Sequence, residues 1–315
     1  MGKIIIRTNN YELGVICMRK FVIAGVQMAV KPNDVYYNVD KAVKWLAKAV
    51  EECHADMVVF PETITTGFAT GLSPGELYDL VDTIPGCLTE RISEAARKLG
   101  VYVVFTSYER GESRGKVYNS AALIDHNGEI VGVYRKTHPY SLENVNRGGW
   151  VTPGMDTPVF STQLGKIGII ICYDGDFPEL SRALAVKGAE IIVRPSALLR
   201  SYEIWSLTNR ARAYDNHVYV VGINAVGADA AGNYYMGNSM VVTPIAQCIA
   251  QGRGAEEIVY AELATDPLKY ITYGSKSPQV FDHLEDRNLE VYSDAFKPAK
   301  SAFEPSMRVP FIKRD

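Results

Sequence analysis

The sequence predicts one α/β domain with mixed sheets and helices on its outer faces. Three observations carry that reading. Apolar runs of strand composition alternate with amphipathic stretches at helical spacing, the rhythm of βαβ units. A tight hairpin signal interrupts the rhythm, so antiparallel pairs must sit beside parallel ones. More strands can be read than one parallel sheet of this length uses, and no internal repeat or low-complexity linker divides the 315 residues.

In chain order, Phe21 to Ala29 (FVIAGVQMA) comes first, β-rich and mostly apolar, as a buried strand is. Asn38 to Cys53 places Val39, Ala42, Val43, Leu46, Val50 and Cys53 on one stripe, which predicts an amphipathic helix. Asp56 to Phe60 (DMVVF) is a short strand closed by Pro61. Leu88 to Leu99 repeats the helical spacing through Ile92, Ala95 and Ala96, and Val101 to Thr106 is again a strand. Tyr118 to Ile124 and Ile130 to Tyr134 flank His126-Asn127-Gly128-Glu129, whose Asn-Gly favours a tight turn. Lys166 to Ile171 (KIGIII) reads as a strand, Pro178 to Lys187 as a helix and Glu190 to Val193 as a strand. Tyr202 to Asn216 reads as a helix, and Val218 to Asn224, Met240 to Val242 and Ile258 to Leu263 as late strands. Three segments result: an N-terminal extension at 1–17, the domain proper at 18–292, and a proline- and charge-rich tail at 293–315.

Composition narrows the function classes. Hydrophobic residues make up 47% of the chain and charged ones 22%, ordinary for a globular protein. A formal charge of −3 gives no electrostatic case for nucleic acid or an anionic membrane. No apolar stretch approaches the roughly 20 residues that span a bilayer. The N-terminal stretch MGKIIIRTNNYELGVICMRK lacks a continuous apolar core and a small-residue cleavage site, so it reads as neither signal peptide nor anchor. Ile6 stands where a myristoylation pattern wants Ser or Thr. Cys17, Cys53, Cys87, Cys172 and Cys248 form no close pair, which argues against a disulfide framework or a zinc site and suits a reducing cytoplasm.

Chemistry in α/β folds collects beyond the carboxyl ends of strands. Glu62 comes after DMVVFP, Lys136 after IVGVYR and Cys172 after KIGIII, so each emerges at the rim of a core. Each also has a plain explanation. A cysteine ending a buried strand commonly serves as a small hydrophobe, a glutamate after a strand as a cap or ion-pair partner, a lysine as a solvated surface group. The segment after Cys172 favours chemistry: Tyr173-Asp174-Gly175-Asp176-Phe177 is a polar turn leading into a helix. Peptide N–H groups there are expected to lower the thiol pKa and to hold an oxyanion. Asp174 and Asp176 read as caps of the helix beginning at Pro178, and without a third ligand they are weak evidence for a metal. His138 and His217 remain as alternative bases for Cys172, with His217 more simply a helix-end residue.

VVFPETITTGF, VYRKTHPY and GIIICYDGDFPE resemble the glutamate, lysine and cysteine motifs of the nitrilase superfamily of carbon-nitrogen hydrolases. The resemblance runs in order from about Phe21 to Tyr292. It implies a four-layer αββα sandwich with two mixed sheets and a Glu-Lys-Cys site that uses neither metal nor organic cofactor. Glu143, seven residues after Lys136, resembles the family's second glutamate, which positions substrate and the lysine. Cys172-Tyr173-Asp174-Gly175, Lys187 to Arg194 (KGAEIIVR) and Tyr235-Met236-Gly237-Asn238-Ser239 are similar to segments of aliphatic amidases and formamidases. Pro195-Ser196-Ala197 departs from them toward a loop of other branches, which leaves the substrate branch open.

The expected mechanism makes Cys172 the nucleophile and Glu62 the proton shuttle. Lys136 and the Tyr173 N–H hold the oxyanion, and a thioester forms on the way from a small amide to acid and ammonia. Hydrolysis of N-carbamoyl compounds, as by ureidopropionase or carbamoylputrescine amidase, is the alternative. A nitrilase would show Trp-Glu after the cysteine, and a binding-only scaffold would have no need of all four of Glu62, Lys136, Glu143 and Cys172. The resemblance implies that a homo-oligomer is to be expected. The acidic turn and the absence of arginine within it lead to an expected preference for neutral or cationic amides over carboxylate-bearing ones.

Overall fold

A computed structural model describes residues 18–265, 267–268, 281–299 and 301–302. The extension at 1–17 lies outside the described residues, as do parts of the tail. Strands β1 (Phe21–Gln27), β2 (Met57–Val59), β3 (Tyr102–Arg110), β4 (Val117–Ile124) and β5 (Ile130–Arg135) lie side by side in that order. The second sheet starts with β6 (Val159–Thr162), β7 (Gly165–Ile169), β8 (Ile191–Ser196) and β9 (Tyr219–Asn224). A small ribbon, β10 (Val226–Ala228) and β11 (Tyr234–Met236), precedes β12 (Met240–Val242) and β13 (Cys248–Gln251), which finish the second sheet beyond β9. The last strand, β14 (Glu257–Leu263), returns to the first sheet and pairs antiparallel with β1.

Both sheets are mixed. β1, β2 and β3 run parallel, as do β7, β8 and β9, while β4, β5, β6, β12 and β14 pair antiparallel. Helices α1 (Val35–Cys53), α2 (Pro74–Leu80) and α3 (Cys87–Leu99) belong to the first half, α4 (Pro178–Val186) and α5 (Tyr202–Asn216) to the second. Side-chain alternation along β1 shows how the layers stack. Ala24 and Val26 face a core shared with Val39 and Leu46 of α1 and Ile92 and Ala96 of α3. Ile23 faces the other way, into a core shared with Ile169, Val193 and Val221 of the second sheet. Trp205 and Ala213 of α5 and Leu184 of α4 cover that sheet's far side. The order is helices, sheet, sheet, helices: an αββα sandwich.

Two glycines set the spacing. A Cβ at Gly25 of β1 would lie 1.9 Å from Ile223 Cδ1 of β9, so the two sheets touch there through the missing side chain. A Cβ at Gly222 would come within 2.9 Å of Trp205, where α5 lies on the sheet.

The sequence expectation holds for every element named, with ends moved by a few residues. Helix α1, capped by Asp34, begins at Val35, three residues before the expected start, and β3 runs four residues past Thr106 to pair with the whole of β4. Helix α2 is an addition to the expected elements; its signal is a Ser73 capping box with Pro74 at the first position. β6, β10, β11 and β13 are additions too, each three or four residues long. Among the described residues no helix is long and apolar enough to cross a membrane.

Candidate active site

Glu62 comes after β2 and Pro61, and the backbone turns at once, with Thr63 at φ +49°. Lys136 comes after β5; its N–H donates to the Asn119 carbonyl of β4 at 2.8 Å and its carbonyl accepts from the Gly154 N–H at 2.8 Å. Cys172 lies three residues past β7 and opens a short 3₁₀ turn, Cys172–Asp176. Its φ is +47°, a conformation that non-glycine residues seldom adopt and that collects at functional sites. Two sheets thus bring together groups more than a hundred residues apart in sequence.

Glu62, Lys136 and Glu143 have buried side chains and meet in one network. Lys136 Nζ donates to Glu62 Oε1 at 2.7 Å and to Glu143 Oε1. Asn119 Nδ2 donates to Glu62 Oε1 at 2.7 Å and to Glu143 Oε2 at 3.3 Å. The Tyr140 N–H donates to Glu143 Oε1 at 2.8 Å. Glu62 Oε2 accepts from the Ala197 N–H at 2.8 Å. Phe68 packs beneath the ammonium, with its ring centre 5.5 Å from Nζ. A small cavity beside Glu62 is walled by Ile64, Phe68, Ala197 and Tyr235.

The electrostatics come from burial. Burial alone would favour a neutral Lys136, but Glu143 and Glu62 outweigh it and hold the ammonium charged beyond the usual lysine range. Burial raises the Glu143 carboxyl, as does Glu62, against the pull of Lys136. For Cys172 the outcome reverses the sequence expectation. The thiol is pushed up to about 12, first by burial and then by Glu62, against the opposing pull of Lys136 and Arg194. Peptide N–H groups do not offset a dry site beside a carboxylate. Such a cysteine rests as the neutral thiol.

The two aspartates also have other roles than expected. Helix α4 begins after Phe177 with no side-chain cap. Asp174 is buried and accepts from the Ile171 N–H at 2.8 Å, Tyr134 OH at 2.7 Å, His138 N–H at 2.9 Å and Thr137 OH at 3.2 Å. It ties the cysteine turn to the chain on either side of Lys136. Asp176 takes Arg200 Nη2 at 2.8 Å and Arg194 Nη2 at 3.4 Å. Among the described residues no group of three or more His, Cys, Asp and Glu side chains could hold a metal.

The alternative bases are occupied elsewhere. His138 stacks on Phe177 at 4.0 Å and sets Nδ1 3.1 Å from Asp174 Oδ1. His217 caps the end of α5 at φ +51° and lies 4.3 Å from the His283 ring. Tyr173, next to Cys172, has its ring edge-on to Tyr140 at 5.3 Å and Phe177 at 5.1 Å. Sequence reasoning misses Asn119 and the Ala197 N–H, the groups that fix both Glu62 oxygens. Nothing local marks either one. Asn119 sits within a strand, and a peptide N–H has no letter in the sequence.

The family model described as carbon-nitrogen hydrolase matches residues 22–270, which takes in Glu62, Lys136, Glu143 and Cys172. The chain belongs to the carbon-nitrogen hydrolase family. A probable nitrilase of Schizosaccharomyces pombe is 30% identical over 280 residues, covering 88% of this chain and 98% of its own. A formamidase of Bacillus cereus is 34% identical over 251 residues, covering 77% of this chain and 74% of its own. Among solved structures, an amidase from Nesterenkonia sp. superposes at a TM-score of 0.73 with 24% identity, over 90% of this chain and 99% of that one. A Saccharomyces cerevisiae member of branch 10 of the nitrilase superfamily gives 0.71 and 28%, over 81% and 94%. These likenesses fit the αββα sandwich of this carbon-nitrogen hydrolase.

Proposed function

We propose that the protein hydrolyses a small, uncharged amide to the acid and ammonia through a thioester on Cys172. The observation that carries the reading is the buried Glu62–Lys136–Glu143–Asn119 network beside a neutral thiol. Glu62 takes the thiol proton as sulfur attacks the carbonyl carbon, and the carbonyl π pair moves onto oxygen. Lys136 and the Tyr173 N–H at the head of the 3₁₀ turn stabilise that oxyanion. Glu143 and Asn119 keep Lys136 and Glu62 in register. The C–N bond then breaks as Glu62 passes its proton to the departing nitrogen. Water attacks the thioester, Glu62 takes its proton, and the C–S bond breaks to release acid and restore the thiol.

Two observations support an uncharged substrate. Arg194 and Arg200, the residues that could clamp a carboxylate, are both paired with Asp176. The Bacillus cereus relative is a formamidase. The test is ammonia release from formamide, acetamide, propionamide, glutamine, ureidopropionate and a nitrile, with Cys172→Ala as control. Turnover by Cys172→Ala would overturn the nucleophile assignment, and a clear preference for ureidopropionate would move the enzyme to the carbamoyl branch. A homo-oligomer belongs to the same reading, supported by Ile204, Leu207 and Tyr214, which are exposed on α5. Light scattering on the purified chain tests it, and a monomer overturns it.

A further inference from the structure

The turn that presents Cys172 is held by arginines that the proposed amide chemistry does not itself use. Arg194 Nε donates to the Cys172 carbonyl at 2.9 Å. Arg212 of α5 donates through Nε to the Gly175 carbonyl at 3.1 Å and through Nη2 to the Asp176 carbonyl at 3.2 Å. The Asp176 carboxylate takes both Arg194 and Arg200. Arg194 is fully buried. Its Nη1 donates to Thr208 Oγ1 at 2.8 Å and Asn209 Oδ1 at 3.0 Å, and its guanidinium carbon lies 5.0 Å from the Trp205 ring centre. Gly175 leaves room for it, since a Cβ there would come 2.2 Å from Arg194 Cζ.

A buried cation is costly compared with an apolar side chain of similar volume, so packing alone does not account for Arg194. Two features do. The residue whose carbonyl it holds is the one with a left-handed backbone, a conformation that persists only where the surroundings enforce it. Its charge also acts on the sulfur: Lys136 and Arg194 favour the thiolate, and Glu62 opposes it. Around Arg194 itself, burial draws the guanidinium down to about 10, Cys172 and Asp176 oppose that fall, and Arg200 and Arg212 add to it. It stays charged at neutral pH.

We propose that Arg194 is a positioning residue for the nucleophile. Through the Cys172 carbonyl it holds the turn that presents the sulfur, and it serves as a second cation, after Lys136, favouring the developing thiolate. The role rests on Cys172 being the nucleophile, and the experiment separates the two. Iodoacetamide modification is followed against pH and located by peptide mapping in wild type, Arg194→Gln and Arg194→Lys, alongside amide turnover. Wild-type modification at Cys172, with loss of turnover in Cys172→Ala, tests the nucleophile alone. For Arg194→Gln the expected result is a fall in kcat of at least about tenfold with KM unchanged. At pH 8 the rate of Cys172 modification should fall at least about threefold, because loss of a nearby opposite charge lowers the thiolate fraction and greater basicity restores only part of the rate. Arg194→Lys should restore that rate but only part of kcat, because the forked hydrogen bonds are gone. A folded Arg194→Gln whose Cys172 is modified at the wild-type rate would overturn the proposal, whatever its kcat. If Arg194→Gln does not fold, Gly175→Ala decides: it keeps the charge but displaces the guanidinium. Reduced kcat with unchanged KM and slowed modification of Cys172 supports the proposal, and wild-type values overturn it.

Discussion

At the scale of single residues the proposed mechanism turns on proton demand. Cys172 is a neutral thiol because it is buried beside Glu62, so in that mechanism the attack step depends on Glu62 accepting its proton. Glu62→Gln should slow thioester formation from a simple amide by about 10²- to 10⁴-fold, the range of a lost general base. Rapid-quench mass spectrometry checks this, and an adduct forming at the wild-type rate would remove the shuttle role. Lys136 is the only cation hydrogen-bonded to Glu62 and Glu143 among the described residues. Lys136→Met leaves two buried carboxylates facing each other, and losing one partner of a buried pair costs about 3–5 kcal/mol. Glu143 is already raised by burial, and without Lys136 it rises further. A raised folded pKa gives stability at low pH that is lost as pH rises through it, so the deficit of Lys136→Met should shrink toward pH 5. Urea unfolding at pH 5 and pH 8 measures it, and an equal deficit at both would show that the carboxylates are not what destabilises the variant.

At the scale of elements, Asp174 joins the cysteine turn of one sheet to the lysine strand of the other. Its carboxyl lies below the usual aspartate range: burial raises it, but donation from His138, the Ile171 N–H and Tyr134 outweighs that. A depressed carboxylate contributes stability above its unfolded pKa, about 3.9, and loses it as pH falls through the folded value. Asp174→Asn should therefore destabilise the protein at pH 7 by about 1.5–3 kcal/mol, the worth of a hydrogen bond to a charged group. The gap to wild type should close below about pH 4. Denaturant midpoints across that range test it. The same variant should lose activity, because Tyr134, Thr137 and His138 flank Lys136.

At the scale of the whole molecule, the sheets approach so closely at Gly25 that Ile223 fills the place of its side chain. Gly25→Val should cost at least about 1–3 kcal/mol by overpacking and spread the sheets that carry Glu62 and Cys172. A fall in Tm with a parallel loss of kcat is the expected outcome; lowered Tm with full activity would mean that β1 and β9 yield without moving the site.

The sequence by itself determined the fold class, the order of the long elements and the candidate residues at the strand ends. Those signals are local: period-two and period-3.6 apolar patterns, Asn127-Gly128 at a hairpin, and a polar turn after an apolar run at Cys172. Local patterns also hid what short elements have too few residues to show, as at β6, β10, β11 and β13. Only the tertiary structure decided the state of the site. Cys172 is a raised thiol, Asp174 a brace between sheets, Asp176 an anchor for Arg194 and Arg200, and Asn119 with the Ala197 N–H the fixtures of Glu62. The physical reason is that a pKa depends on burial and nearby charge, and both are supplied by groups distant in sequence that meet only when the two sheets close.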